Sequence, residues 1–259
     1  TLARGELSAE SGRAAGETLA HMVRLALDGR LDGIVFAPLA KAALHAGGWR
    51  FNDEHQLFAH LTGHRGFFSE MNVLDDLWMS RVTSHVSLRT ALDQITTERV
   101  GEALALADRT MRAAGFALPR IAVAALNPHA GESGLFGREE IEIIAPAVVE
   151  AARRGIACQG PFPADTVFLK AFGGEYDGVL SMFHDQGQIA TKLRGFNRGV
   201  TVTAGLETVF TTPAHGTAFD IVGRGVASTG ALEQAVRLCA RLAAARRSAR
   251  VPESGASRP

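Results

Sequence analysis

The apolar runs of this chain are short, and stretches with helical spacing separate them one from the next. Asp32–Pro38, Leu77–Thr83, Arg120–Leu126 and Tyr176–Phe183 read as buried strands, with shorter ones at Gly199–Thr203 and Thr208–Thr211. Between them, Ser8 caps a helix to about Gly29 that carries Leu19, Val23 and Leu27 on one stripe. Further helices are expected over Ala40–Ala46, Asp53–Leu61, Thr96–Ala114, Glu139–Arg154 and Thr229–Arg246. Such alternation predicts α/β architecture, with helices covering a largely parallel sheet.

Three of these runs deliver a histidine at the downstream end. Leu77–Ser84 leads into His85, Ile121–Leu126 into Asn127-Pro128-His129, and Gly178–Phe183 into His184-Asp185. Ligand-binding groups gather beyond the carboxyl ends of parallel strands, so three imidazoles on that rim could share one divalent metal. Zinc, magnesium or manganese would serve, with a coordination position left for substrate.

Lys+Arg and Asp+Glu balance at 27 each, which argues against a bulk electrostatic partner such as nucleic acid. No apolar run has the length of a membrane span and no secretory signal opens the chain, so the expectation is a cytoplasmic enzyme. Cys158 and Cys239 read as buried free thiols. The composition of residues 248–259 predicts a disordered tail.

Loop chemistry sits where the strands end. Asn127–Glu140 holds Gly131, Gly134 and Gly137, which permit unusual backbone angles and close approach of a ligand. Asp185 follows His184 and could orient its imidazole, contact the metal or substrate, or cap a helix. Lys192 lies about two helical turns beyond His184, where a lysine can hold a substrate anion or act as an acid, or else point to solvent. Asp165 stands in a rigid turn before a helix, where capping is the plain role. The segment His215–Gly225 is polar and glycine-bearing but lacks the Gly-x-Gly-x-x-Gly dinucleotide spacing, as does the rest of the chain.

The order and spacing of Asn127-Pro-His-Ala-Gly-Glu132, Gly160-Pro-Phe-Pro-Ala-Asp-Thr166, His184-Asp-Gln-Gly187 and His215-Gly-Thr-Ala218 resemble the 4-hydroxythreonine-4-phosphate dehydrogenase family. The resemblance runs from Gly5-Glu-Leu-Ser8 to the closing helix. It implies an isocitrate/isopropylmalate dehydrogenase-like fold, two α/β domains flanking a cleft, and a homodimer. Residues 1–47 with 208–247 would form the cofactor-side domain, and 48–207 the central metal, substrate and dimerisation domain. The family's metal ligands fall on His85, His129 and His184, and its NAD site (NADP being possible) on Asn127, His215, Gly216, Thr217, Ala218 and Asp220. Lys192 matches a family substrate-binding lysine, and Asp165 and Asp185 match family-motif aspartates lining the site, so the resemblance implies a catalytic role for all three. The implied reaction oxidises a secondary alcohol β to a carboxylate, followed by loss of CO2.

The departures bear on the substrate. The family's Gly-His-Thr-Glu segment corresponds to Asp53-Glu54-His55-Gln56, which puts Glu54 and His55 among the expected substrate contacts. A substrate-binding asparagine falls on Thr201 and an arginine on Phe210. A phenyl ring cannot supply the bidentate anion contact of a guanidinium. The expectation is therefore a non-phosphorylated hydroxyacid or dihydrodiol, as in a relative acting on the cis-dihydrodiol of terephthalate. The first alternative keeps a phosphorylated hydroxyacid (4-phosphohydroxythreonine or threonate/erythronate 4-phosphate) on contacts rebuilt from Lys192, His55, His64 and Arg65. The second is a non-catalytic ligand-binding descendant. The family also opens on a strand and a Gly-Asp-Pro-x-Gly-Ile-Gly-Pro-Glu loop with no counterpart here, so the resemblance implies a missing first segment.

Overall fold

In the computed structural model, residues 4–195 and 198–250 are described. Helix α1 spans Ala9–Leu27, and the Ser8 hydroxyl accepts the Ser11 N–H at 3.1 Å, the expected cap. Strand β1 (Gly33–Val35), α2 (Lys41–Ala46) and α3 (Glu54–Leu61) follow. Next come β2 (Ser69–Leu74), β3 (Leu77–Arg81), α4 (Leu88–Gln94) and α5 (Thr97–Ala113). Strand β4 (Ile121–Ala124) precedes α6 (Ala145–Arg153), β5 (Cys158–Phe162), α7 (Ala164–Phe172) and β6 (Gly178–Ser181). The chain continues through α8 (His184–Gly195), β7 (Val200–Ala204), β8 (Val209–Pro213) and α9 (Gly230–Arg250).

Three of these elements have weak sequence signals. Strand β2 interleaves Glu70 and Asn72 with its apolar residues, β5 carries Gly160 and Pro161, and α4 is seven residues long. The helix expected at Glu139–Arg154 is interrupted at its start by a wider turn over Glu140–Ile144, in which the Ala145 N–H bonds back to the Glu140 carbonyl. Helix α9 runs four residues past the expected Arg246, so 248–250 are helical; the rest of the expected tail lies outside the described residues.

Among the described residues, eight strands form one sheet in the order β1-β8-β7-β2-β3-β6-β4-β5. It is mixed rather than largely parallel. β3, β6, β4 and β5 run parallel at one end and β1 with β8 at the other, while antiparallel β7 and β2 join the two groups. The hairpin β2–β3 reverses direction over Asp75 and Asp76, and Asp75 takes a φ of +54° there.

One face of the sheet packs on α5, α6 and α9 through Val100, Leu104, Ile121, Val123, Leu180, Val202 and Leu238. The other face meets α7 through Val167 and Phe168, and meets α1 and α3 through Leu19, Val23, Ile34 and Phe58. Both cysteines are free and buried, as expected, and burial pushes the Cys158 thiol up to about 11. Among the described residues no helix is long and apolar enough to cross a membrane.

Candidate active site

β3, β6 and β4 are adjacent and parallel, so their carboxyl ends share one rim, and His85, His184 and His129 follow from them in that order. The structure brings two of the three together. The His85 and His184 rings lie 5.4 Å apart, whereas His129 stands against Phe136 at 6.2 Å. Among the described residues no three His, Cys, Asp or Glu side chains of the one chain gather closely enough to hold a metal ion.

The reason lies in the loop after β4. His129, Ala130, Gly131, Glu132 and Ser133 all take positive φ, forming a left-handed turn that swings His129 aside. L-residues adopt that conformation at a cost, and Glu140 offsets it. Its carboxylate accepts the N–H groups of Leu126 (2.8 Å) and Asn127 (2.7 Å) and the Asn127 amide (2.9 Å). Burial raises the Glu140 carboxyl, but these bonds hold it below its ordinary value. Gly131 is needed inside the turn, because a Cβ there would lie 2.7 Å from the Glu140 carboxylate. The Asn127 side chain, an expected cofactor contact, is held by Glu139 and Glu140 instead.

The two imidazoles that do meet are held alike. His85 Nδ1 lies 2.6 Å from Asp53 Oδ2, and His184 Nδ1 lies 2.7 Å from Asp185 Oδ1. A carboxylate at Nδ1 keeps the proton there and leaves Nε2 free to bind a metal. The donor chemistry of this pair therefore fits a divalent ion, with His129 outside it. Gln186 ties the strand ends together: its amide accepts the Met182 N–H and donates to the Ala125 carbonyl, both at 2.7 Å. Gly187 lets α8 sit close on β6, since a Cβ there would meet Ser181 Oγ at 3.0 Å.

Below His85 runs a polar stripe with no counterpart in the sequence-derived site. Glu70 and Asn72 point to the same face of β2, and the hairpin register brings Arg81 on β3 beside them. Glu70 Oε2 lies 3.7 Å from both His85 Nε2 and His55 Nε2, and 3.8 Å from Arg81 Nη1. Asn72 accepts a hydrogen bond from Arg81, donates to Glu70 and to Thr201 Oγ1 (3.0 Å), and meets the Gln188 amide from α8. His55 Nδ1 pairs with Thr203 Oγ1 at 2.6 Å.

Burial raises the Glu70 carboxyl, but the electrostatic pull of Arg81 with His55 and His85 beside it, and the Asn72 bond, bring it down to about 2. Asp53 is likewise held at about 2, where bonds from His85 and the Gln56 N–H outweigh burial. The Asp53 bond, opposed by burial, raises the His85 pKa. The available signal was the period-two placement of Glu70 and Asn72 inside an apolar strand.

The remaining expected contacts separate. His55 and His85, together with Gln56, Arg65, Ser84 and Arg99, line a cleft of about 450 Å3. Glu54 faces away to Lys41 at 3.4 Å. Thr201 is buried against Asn72. Phe210 is fully buried, stacked on Phe58 with centroids 4.1 Å apart, which corrects its assignment as a contact for the substrate's tail. Asp165, Asp185 and Lys192 are exposed, and the last of these follows His184 and Gln188 along one stripe of α8. His215, Gly216, Thr217, Ala218 and Asp220 form an open segment beyond β8; His215 Nδ1 meets the Gly216 carbonyl, and Ala218 takes a φ of +49°. His64 stands edge-on to Phe68 outside the 450 Å3 cleft.

A family described as "Pyridoxal phosphate biosynthetic protein PdxA" matches residues 1–239. A Pseudomonas aeruginosa relative with the provisional name 4-hydroxythreonine-4-phosphate dehydrogenase 2 is 54% identical over 241 residues, covering 92% of this chain and 72% of its own length. D-threonate 4-phosphate dehydrogenase of Salmonella typhimurium is 42% identical, covering 93% and 74%. Among solved structures, 4-hydroxythreonine-4-phosphate dehydrogenase from Klebsiella pneumoniae superposes with a TM-score of 0.80 at 42% identity over 93% of this chain and 74% of its own. Terephthalate 1,2-cis-dihydrodiol dehydrogenase from Burkholderia xenovorans LB400 gives 0.70 at 29%, over 93% and 76%. Isocitrate dehydrogenase from Methylococcus capsulatus, at 0.50 and 14% over 81% and 74%, shares the fold alone.

Proposed function

This chain belongs to the family of the pyridoxal phosphate biosynthetic protein PdxA, an oxidoreductase family acting on CH–OH groups, and from that premise we propose that it oxidises a short hydroxyacid carrying a terminal phosphate. The substrate class is that of threonate 4-phosphate or 4-phosphohydroxythreonine, with the oxidised alcohol β to a carboxylate and CO2 lost afterwards. The observation that carries this choice is the place of Phe210. Its side chain lies in the core against Phe58, so it gives no reason for an uncharged substrate tail. Arg65, Arg99 and His55 line the cleft beside His85, and a guanidinium can hold a phosphate bidentately. Relatives named for 4-phosphorylated substrates are also the more similar ones, at 42–54% identity against 29% for the dihydrodiol enzyme.

In this reading His85 and His184 hold one divalent metal, and Asp53 and Asp185 orient their rings. When bound, the metal would supply Lewis-acid stabilisation of the substrate oxygen, and NAD(P) would supply the hydride acceptor. We assign the cofactor to the end of the sheet formed by β1 and β8, where the open segment His215–Asp220 leaves β8. His129, Asp165 and Lys192 lie outside the 450 Å3 cleft. A homodimer would supply them from a second copy, and the exposed side chains of Leu88, Leu92, Ile189 and Leu193 near the rim suit such a contact.

The test is NADH formation by the purified protein with Mn2+ or Zn2+, comparing threonate 4-phosphate with threonate and with a cis-dihydrodiol acid. The expected result is turnover of the phosphorylated acid, with Arg65→Ala and Arg99→Ala raising its KM. Equal kcat/KM for phosphorylated and unphosphorylated substrates would overturn the choice.

A further inference from the structure

We propose that Asp53 is a positioning residue that sets the orientation and tautomer of His85 for the metal. The inference rests on the metal reading above and deepens it. Asp53 precedes α3, in the place where the resembling family has the glycine of Gly-His-Thr-Glu. One of its oxygens does what any cap does, accepting the Gln56 N–H at 2.8 Å. The other lies 2.6 Å from His85 Nδ1, a bond that a Ser or Thr cap is too short to make. One carboxylate thus staples the start of α3 to the loop after β3.

What makes the second bond consequential is the competitor on the far side of the ring. Glu70 Oε2 lies 3.7 Å from His85 Nε2, within reach of a small ring rotation. With Asp53 in place, the proton stays on Nδ1 and the Nε2 lone pair is free for an ion. Without it, Nε2–H turns to Glu70 and the ring offers the wrong nitrogen. His184 has the same arrangement with Asp185, but that carboxylate is 73% exposed whereas Asp53 is buried. A carboxylate in solvent exchanges its partner with water, so Asp53 is the stricter guide of the two.

The experiment titrates the wild type, Asp53→Ser, Asp53→Asn, Asp185→Asn and His85→Ala with Co2+ and Zn2+ against a chromophoric chelator. The Tm and the 15N imidazole shifts of each metal-free protein are recorded alongside. Asp53→Ser keeps the helix cap but loses the His85 bond, so its Tm is expected to fall by no more than about 10 °C with the fold retained. Its Co2+ affinity should fall by roughly 10–100-fold, and the His85 15N signals should move to the Nε2–H tautomer. Asp53→Asn, which keeps the cap and a neutral acceptor, should lose less, and Asp185→Asn less than Asp53→Ser. Should Asp53→Ser fail to fold, an Asp53→Asn protein with wild-type affinity and unmoved 15N shifts overturns the proposal. So does a folded Asp53→Ser with wild-type affinity when His85→Ala has lost the ion. Wild-type affinity in His85→Ala overturns the metal reading itself.

Discussion

Two patches on the same face of the sheet solve burial in opposite ways. On β8, Phe210 stacks on Phe58 and closes an apolar core under α1 and α3. On β2 and β3, two and three strands away, Glu70, Asn72 and Arg81 are buried as a charged and polar network that touches His55, His85 and α8. The aromatic stack gains from area alone and tolerates change of shape. The ionic patch gains little net stability, because desolvation of each charge offsets the attraction, yet removing either partner leaves the other stranded. An ionic core costs stability but holds side chains at fixed angles, and it lies directly below the imidazoles that need such angles.

The sharpest break of this contrast is His85→Ala, which should lower kcat at least about 100-fold while leaving the fold intact, read by NADH formation and circular dichroism. Arg81→Met comes next. It strands Glu70 and should destabilise the protein by about 3–5 kcal/mol in urea, whereas the double change Arg81→Met with Glu70→Met should recover most of that loss. A double variant as unstable as the single one would show that the network contributes through more than pairing.

Phe210→Leu, in the apolar patch, should cost no more than about 1.5 kcal/mol and leave substrate KM unchanged. A raised KM would return Phe210 to the substrate site.

Acid separates the patches more gently. Asp53 and Glu70 sit at about 2 in the folded chain against ordinary values of 3.8 and 4.5. Depressed carboxyls contribute stability that is present above their unfolded values and lost as pH falls toward 2. Metal-free protein should therefore weaken between pH 4.5 and 2, and Asp53→Asn with Glu70→Gln should flatten that slope. Smallest of all, His215→Ala lies in the open segment beyond β8 and should raise the KM for NAD a few-fold with no change in Tm.

Much of the frame was legible because it depends on local pattern. Helix starts at Ser8, Asp53 and Thr96 are real caps, each accepting an N–H three residues on. The parallel run β3, β6, β4 follows from buried apolar strands joined by helices, and it puts three histidines on one rim. Strand β2 was not legible. Its Glu70 and Asn72 oppose strand propensity, and only pairing with β7 and β3 makes the position tenable.

The sequence by itself determined that the chain is an α/β protein of this dehydrogenase family and that His85, His129 and His184 each follow the end of a strand. Those conclusions need only periodicity, caps and motif spacing, which act over a few residues. Tertiary structure decided where the side chains go. It sent Phe210 into the core, Glu54 to Lys41 and His129 out along a left-handed turn, and it drew Asp53 across to His85. Partners separated by 32 positions, as Asp53 and His85 are, leave no periodic trace, so their pairing arises only when the sheet closes.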